Sequence, residues 1–341
     1  MKSIVSKTPV RIAFGGGGTD VEPYSSDYGG FVINATVSLF NRCFFNSRND
    51  KSIVIKSNYS KDPIKFSIRG IQDDKDYRIM SLYEAIFYLL KPSSGFDIYI
   101  HSQIPQRAGL GSSASLSVSI IAGILESTKI SLENLDQQYI AEIAYQVEQE
   151  ILKNEGGRQD QYASVFGGFN GIKFNGGSNV QVKRLNLSKS FKEKLERSLI
   201  LFYTGIPHIS GNLVERQVNF YEKEKNKAKL YLDELKRVAY ELRDALKSED
   251  FNLFGSLLTK DLKIKKQFNP LLSTDYLDTL YEKIIQNGAI GGRIIGAGGG
   301  GCMIWLVHPK KKDIINSILE KEKGKRLEYN FTDEGLKIIE I

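Results

Sequence analysis

PQRAGLGSSAS, residues 105–115, is the most informative stretch of this 341-residue chain. It lies between an alternating run at 96–100, which is typical of a strand, and an apolar run at 116–125, which is typical of a buried helix. Gly109 and Gly111 let the backbone approach a ligand closely, because glycine has no Cβ. The N–H groups that begin a helix form a natural anion site. The stretch predicts a phosphate-binding loop that is not a Walker A loop, with serine capping of the helix as the alternative.

The composition of the whole chain limits its class. The formal net charge is +7 at pH 7 and the basic residues are spread along the chain, which supports nucleic-acid binding weakly and fits an anionic small substrate equally well. The only cysteines, Cys43 and Cys302, predict buried reduced thiols, and His101, His208 and His308 are too scattered for a metal-ligand pattern. No apolar run reaches membrane-spanning length, and the N-terminus lacks a signal-peptide core. We expect a cytoplasmic protein of one large or two ordinary domains that binds neither nucleic acid nor membrane.

Three further glycine-rich breaks accompany the loop at 105–115. GGGGTD at 15–20 follows a short strand at 9–14, and its glycines next to Thr19 and Asp20 favour a turn against a ligand over a flexible hairpin. GAGGGG at 296–301 lies between two apolar strands and predicts a second point of close backbone approach. Gly156-Gly157 ends a helical stretch over 135–152 and precedes Asp160, for which helix capping is the alternative role.

The remaining pattern predicts strands in the first half and long helices in the second. β-branched and aromatic runs predict an antiparallel sheet from segments at 31–40, 42–47, 52–56 and 64–68, and a further strand is predicted at 96–101. Helical spacing predicts helices over 81–91, 212–247 with one break, 251–267, 274–287 and 309–323. GGFNG at 167–171 predicts the boundary between domains over 1–170 and 171–341, and residues 326–331 and 336–341 are expected to close a sheet.

Three of these signals, in this order, resemble the GHMP kinases, the family of galactokinase, homoserine kinase, mevalonate kinase and phosphomevalonate kinase. The matching segments are 9–11 with 16–20, the loop at 105–114, and the turn at 296–302. The resemblance implies a two-domain α+β fold, with a ribosomal-protein-S5-like N-terminal half, a ferredoxin-like C-terminal half and the active site in the cleft between them. It also implies ATP as the phosphoryl donor and Mg²⁺ as the metal ion.

The resemblance further implies roles for individual residues. Asp160 matches the catalytic aspartate of the family and Arg11 matches the arginine of the sugar kinases. Ser113 and Glu148 are expected to bind Mg²⁺. The nucleotide is expected to contact Pro105, Arg107, Ala108, Gly109, Leu110, Gly111, Ser112, Ser113 and Ala114. The acceptor is expected to contact Asp160 together with Gly16, Gly17, Gly18, Thr19, Asp20, Tyr24, Gly298 and Gly299.

The first glycine-rich turn separates this chain from one branch of the family. Gly17 and Gly18 replace the Glu-His of galactokinases, which argues against galactose as the acceptor. The all-glycine form, followed by Tyr24 and Tyr28-Gly29-Gly30, resembles the bacterial D-glycero-D-manno-heptose 7-phosphate kinases and the related fucokinase domains. That resemblance implies phosphorylation of the C1 hydroxyl of a heptose 7-phosphate, for nucleotide-activated heptose in surface glycans.

Other readings stay open. The acceptor of a kinase could instead be an unphosphorylated sugar, and a protein that binds nucleotide without turnover is a further alternative. The oligomeric state is open as well, with a homodimer as one option. The residues that could contact an acceptor phosphate are Arg42, Arg48, Arg107, Lys173 and Arg293, and the sequence does not choose among them.

Overall fold

The computed structural model describes residues 3–73, 80–128, 136–207 and 210–341; Leu135 and His208 lie outside these ranges. Within them the strands are β1 Ile4–Gly15, β2 Gly30–Ser47, β3 Ser52–Ser57, β4 Ser60–Ser67, β5 Phe96–Ser102, β6 Phe169–Phe174, β7 Val180–Arg184, β8 Leu199–Tyr203, β9 Ala289–Ile294, β10 Cys302–Val307, β11 Lys325–Arg326 and β12 Lys337–Glu340. The helices are α1 Tyr24–Tyr28, α2 Ile68–Asp73, α3 Leu82–Leu90, α4 Ser112–Ser127, α5 Gln137–Gln146, α6 Gln159–Phe166, α7 Lys189–Ser198, α8 Ser210–Lys223, α9 Lys225–Lys247, α10 Phe251–Phe268, α11 Asp275–Gln286 and α12 Lys312–Leu319.

The strands form two sheets. In the described ranges, β12-β1-β2-β5-β3-β4 is the main order of the first sheet, to which β6 and β7 are added beside β2, and β11-β8-β10-β9 is the order of the second. The second sheet is antiparallel throughout. In the first, β3 and β4 are antiparallel, as predicted, whereas β3 and β5 run parallel, an orientation that the sequence analysis did not address. The reason is that α2 and α3 carry the chain back between β4 and β5, as a crossover does for parallel strands.

A hydrophobic core joins the first sheet to the helices of the second half. Phe14 on β1 and Leu242 on α9 are fully buried in the same cluster as Ile304 on β10. A separate cluster fills the space between the first sheet and α3 to α6. Because burial of apolar surface is the main stabilising term in folding, these contacts fix β1 and its following turn against α9 and α10. Within the described ranges, none of the helices is both long and apolar enough to span a bilayer.

The structure gives exact ends for several of the predicted elements. The break predicted within 212–247 lies at Glu224, between α8 and α9. The helix predicted over 135–152 is α5 followed by a π-helical turn over Val147–Ile151. α12 is shorter than the helix predicted over 309–323, because the structure has a 3₁₀ turn at Pro309–Lys311 before α12 begins. The boundary predicted after residue 170 falls inside β6, and β7 and β12 also belong to the first sheet; the limits of 1–170 and 171–341 stay a prediction.

Candidate active site

The loop at 105–114 ends at a helix whose first amides are free. Gly109 and Gly111 have φ of +75° and +73°, and Gly111 is the residue that precedes α4. No side chain caps this helix, and the first recorded amide bond of the turn runs from Ser115 to the Gly111 carbonyl at 3.0 Å. The amides of Ser112, Ser113 and Ala114 therefore have no partner in the described part of the chain. Serine capping, the alternative reading, is not what the structure shows, and the free amides suit a phosphate group.

Backbone contacts hold this loop against both halves of the molecule. The Arg11 amide donates to the Leu110 carbonyl at 3.1 Å, and the Cys302 amide donates to the Ala108 carbonyl at 2.9 Å. The side chains of Ala108 and Leu110 lie in the core, so only their backbone atoms can contact a nucleotide. Arg107 has a left-handed backbone and an exposed side chain. The loop is thus supported by β1 on one side and by the start of β10 on the other.

Arg11 and Asp160 form a bidentate pair beside this loop. Arg11 Nε and Nη2 donate to the two carboxylate oxygens of Asp160 at 2.8 and 2.9 Å, and Nη1 donates to the Gly109 carbonyl at 2.7 Å. The side chain of Arg11 is 4% exposed, whereas that of Asp160 keeps 24% of its exposure. A Cβ on Gly111 would lie 3.0 Å from the Asp160 carboxyl carbon. The structure therefore brings Arg11, Asp160 and the start of α4 together; the catalytic roles that the family resemblance implies for the two side chains stay a prediction.

Glu148 lies on the π-helical turn, a feature that is frequent at functional sites. Its Oε2 accepts from Gln161 Nε2 at 2.8 Å. Part of the side chain reaches solvent, yet loss of hydration raises the pKa of Glu148 to about 7, with the charge of Asp160 as a second cause. Gln161 also has a buried Oε1 without a partner in the described structure.

These residues fit a magnesium ion held mainly by its nucleotide. The described residues contain no group of three or more His, Cys, Asp or Glu side chains that could hold a metal by themselves. Mg²⁺ in kinases needs only one or two carboxylates, since substrate phosphates and waters fill its other positions. Glu148 offers a carboxylate that has no cationic partner among the described residues, and Ser113 offers an exposed hydroxyl in the first turn of α4. The oxygen-only donor set is the one that Mg²⁺ prefers.

The turn at 15–20 lies against α6, α8 and α10. The carboxylate of Asp20 is 1% exposed and accepts from the amides of Gly18 and Gln159 at 3.0 and 3.2 Å. Burial, with a contribution from the charge of Asp160, raises the pKa of Asp20. Gln159 Oε1 is a buried acceptor without a partner in the described ranges. The structure thus places Asp20 next to the Arg11–Asp160 pair, on the side from which α6 begins.

Two residues that were predicted to contact the acceptor, Thr19 and Tyr24, use their hydroxyl groups in hydrogen bonds to other residues of the protein. The Thr19 hydroxyl donates to the Gly16 carbonyl at 2.8 Å and accepts from the Phe31 amide at 3.0 Å. The Tyr24 hydroxyl donates to Asp233 on α9 at 2.6 Å, and the tyrosine is 2% exposed. Both side chains tie the turn to neighbouring elements, and their contact with an acceptor stays a prediction.

The turn at 296–301 packs against the second half. The Gly299 amide donates to the Leu272 carbonyl at 2.7 Å, and a Cβ on Gly298 would lie 2.5 Å from the same oxygen. Contact with protein backbone therefore explains why glycine is needed at 298, and acceptor contact by Gly298 and Gly299 remains untested by this geometry. The carbonyl of Gly296, by contrast, faces the ammonium group of Lys265.

The sequence analysis did not identify Asp261 and Lys265 on α10. Asp261 is fully buried, accepts from the Gly16 amide at 2.9 Å and pairs with Arg293 at 2.9 Å. Lys265 is 8% exposed, and its burial lowers the pKa of its ammonium group to about 8, with the charge of Arg293 as a second cause. Both polar residues lie at helical spacing with Phe254, Leu258 and Phe268 of the buried face. Charged residues on an otherwise apolar stripe were the available signal.

Free helix-start amides lie beside a fixed carboxylate, with two side-chain amide oxygens nearby that have no partner among the described residues; this arrangement is compatible with phosphoryl transfer. The chain matches the family models described as the GHMP kinases N terminal domain, at residues 78–168, and the GHMP kinases C terminal, at 242–325. A relative, the D-glycero-alpha-D-manno-heptose 7-phosphate kinase of Campylobacter jejuni, is 33% identical over 341 residues, with 99% of each chain covered.

Solved structures agree with this match. A D-glycero-D-manno-heptose 1-phosphate kinase from Bacteroides thetaiotaomicron has a TM-score of 0.80 at 25% identity, with 99% of each chain covered. A sugar kinase of C. jejuni, described as putative, has a TM-score of 0.75 at 30% identity, with 100% of this chain and 99% of that chain covered. The chain belongs to the GHMP kinases. It is a sugar kinase with the two-domain α+β fold of that family, and ATP is its cosubstrate, as the sequence analysis predicted.

Proposed function

We propose that this enzyme transfers the γ-phosphoryl group of ATP to the C1 hydroxyl of D-glycero-α-D-manno-heptose 7-phosphate, giving the 1,7-bisphosphate and ADP. The bidentate Arg11–Asp160 pair beside the free amides of α4 is the observation that carries the reaction type. The acceptor follows from the 33% identical heptose 7-phosphate kinase, which aligns over 99% of both chains. The product would enter nucleotide-activated heptose synthesis for surface glycans, in the cytoplasm where ATP is available.

In this mechanism Asp160 orients the C1 hydroxyl and accepts its proton. The O1 atom attacks the γ-phosphorus while the bond between that phosphorus and the β-phosphate oxygen breaks, so the electron pair leaves with ADP. Phosphoryl transfer of this kind needs positioning and charge neutralisation more than covalent help from the protein. Arg11 fixes both carboxylate oxygens of Asp160 and keeps the Gly109 carbonyl, and hence the loop, in register with it.

The nucleotide phosphates bind at the amides of Ser112, Ser113 and Ala114. Glu148 and the hydroxyl of Ser113 would hold Mg²⁺, which would neutralise negative charge on the phosphates. Asp20 and Gln159 lie on the acceptor side of Asp160, and Gln159 Oε1 offers an unpartnered acceptor for a sugar hydroxyl. An anomeric hydroxyl is more acidic than an ordinary alcohol, so the demand on Asp160 as a base is modest.

Coupled ADP release with Mg-ATP tests the proposal on a panel of acceptors. The panel contains the heptose free, as its 7-phosphate and as its 1-phosphate, since the two heptose kinases named above differ in the position of the phosphate. Sedoheptulose 7-phosphate, fucose and galactose complete it. We expect turnover with the aldoheptose 7-phosphate. Turnover confined to a free sugar or to the 1-phosphate would contradict the proposed acceptor and leave the kinase assignment intact.

A further inference from the structure

The ammonium group of Lys265 is buried and poorly satisfied. Lys265 is 8% exposed and lies on α10, which packs against β9. Its recorded hydrogen bond is long, from Nζ to the Gly296 carbonyl at 3.4 Å. No carboxylate lies within ion-pair distance of Nζ in the described ranges, although the next residue, Lys266, pairs with Asp278 at 2.7 Å. An ammonium group has three donors, so two of those of Lys265 have no protein partner there.

Lys265 reaches the acceptor side of the site. A Cβ on Gly17 would lie 3.1 Å from Lys265 Nζ and 3.4 Å from Nε2 of Gln159, the residue before Asp160. The Gly296 carbonyl belongs to the other glycine-rich turn. The ammonium group therefore lies where the turn at 15–20, the turn at 296–301 and the start of α6 meet.

The charges around Lys265 already have partners of their own. Arg293 pairs with Asp261, and Arg11 pairs with Asp160. The carboxylate of Asp20 accepts hydrogen bonds from two backbone amides and from the side chain of Gln159, and it accepts none from the ammonium group of Lys265. Arg293 and Arg11 repel the ammonium group, while Asp261 and Asp20 attract it from a distance. Burying a charge without a direct partner costs free energy, which a ligand of opposite charge would offset.

The basic residues that the sequence analysis offered as contacts of an acceptor phosphate are less suitable for that contact than Lys265. Arg293 pairs with Asp261 and donates a hydrogen bond to the Phe14 carbonyl. Arg48 pairs with Asp50 and Asp97 on the surface. The guanidinium of Arg42 lies over the Phe40 ring, and Arg107 and Lys173 are exposed.

We propose that Lys265 binds the phosphate group of the acceptor and thereby makes this kinase select a sugar phosphate over the free sugar. The assignment rests on the proposed function of the same site. A phosphate group supplies the missing counter-charge and accepts the two free donors of Nζ. The nucleotide phosphates have their own contacts at the start of α4, so the two anionic groups of the reaction bind at different places.

Lys265→Met tests this assignment, because methionine keeps most of the length of the side chain and removes its charge. We expect kcat/KM for heptose 7-phosphate to fall about 10- to 100-fold, the effect of losing a hydrogen bond to a charged group, and mainly through KM. KM for ATP and turnover of the unphosphorylated heptose should stay at their wild-type values. Lys265→Arg should recover part of the loss. Lys266→Met, next to it and paired with Asp278, is the matched control and should behave as wild type.

Two outcomes would overturn the assignment while the proposed function stands: an unchanged KM for heptose 7-phosphate in Lys265→Met, or an equal loss with phosphorylated and free heptose. A wild-type enzyme that accepts only free sugars would overturn both. The wild-type pH profile keeps the test independent of folding of the variant. Because the ammonium loses its proton near pH 8, KM for heptose 7-phosphate should rise above that pH relative to KM for the free heptose; parallel profiles would contradict the assignment.

Discussion

Asp160→Asn exchanges one carboxylate oxygen of the proposed proton acceptor for an amide group. Both oxygens accept N–H groups of Arg11, at 2.8 and 2.9 Å, so an asparagine can keep only one of these bonds and sets N–H against N–H at the other. General-base catalysis contributes about 10²- to 10⁴-fold, so we expect kcat to fall about 10³-fold, or about 4 kcal/mol of activation free energy. The buried Arg11 also loses its counter-charge. Since Asp160 keeps 24% side-chain exposure, unfolding free energy should fall by about 1–3 kcal/mol, less than for a fully buried pair.

Steady-state ADP release and thermal unfolding measure the two effects separately. KM for ATP should stay near the wild-type value, because the loop amides and Glu148 are unchanged. Asp50→Asn is the matched control, since Arg48 holds Asp50 in the same bidentate geometry at 2.9 and 3.0 Å on the surface. We expect normal kcat for that variant. A kcat of Asp160→Asn at the wild-type level would remove Asp160 from the proposed mechanism, and a loss of ATP binding equal to the loss of kcat would show that the variant disturbs the loop instead.

Three further outcomes follow from the same geometry. Because the pKa of Glu148 is raised to about 7, its carboxyl is protonated below that pH, and the Mg²⁺ concentration for half-maximal rate should rise as pH falls from 8 to 6; a constant requirement would contradict a Mg²⁺ role for Glu148. Gly157→Ala would place a Cβ 1.9 Å from an oxygen of Asp20 and should raise KM for the acceptor and lower the melting temperature, whereas Gly70→Ala, whose Cβ meets no atom of the described residues within 4 Å, should leave KM unchanged and should not lower the melting temperature. Equal behaviour of these two alanine variants would argue against Asp20 as an acceptor contact. In Lys265→Met, the rise in KM for heptose 7-phosphate above pH 8 should disappear; a retained rise would assign that titration to another group.

The conformation of the loop at 105–114 was predictable because its signal is local. A strand, a short loop with Gly109 and Gly111, and an uncapped helix follow one another within residues 96–127. The geometry of such a unit depends on neighbours in the chain, so the pattern was sufficient to predict free amides at its centre.

Features that depend on contacts between residues far apart in the sequence were harder to predict from the sequence. The hydroxyl of Tyr24 bonds to Asp233 on a helix more than 200 residues away, and no periodicity in the sequence predicts that pair. The π-helical turn at Glu148 depends on a one-residue shift of the hydrogen-bond pattern, which side-chain spacing does not show. The family resemblance selected Arg11 and Asp160 as separate site residues, but the sequence did not predict their direct pairing, since 149 residues separate them.

Lys265 was predictable from the sequence only in part. Its place on the apolar stripe of α10 can be read from the sequence with Phe254, Leu258 and Asp261. Its approach to Gly17 and the Gly296 carbonyl depends on how α10 packs against both glycine-rich turns. A polar residue on a buried helical face is therefore a useful signal of a site, and the structure is needed to show what the residue faces.

Phosphorus-31 NMR of the product formed from Mg-ATP and D-glycero-α-D-manno-heptose 7-phosphate tests the central claim most directly. We expect the 7-phosphate resonance to persist while a second sugar phosphate ester appears, coupled to the anomeric proton, in step with ADP. A new ester on any other carbon, or ATP consumption without a new sugar phosphate, would contradict the proposed transfer to C1.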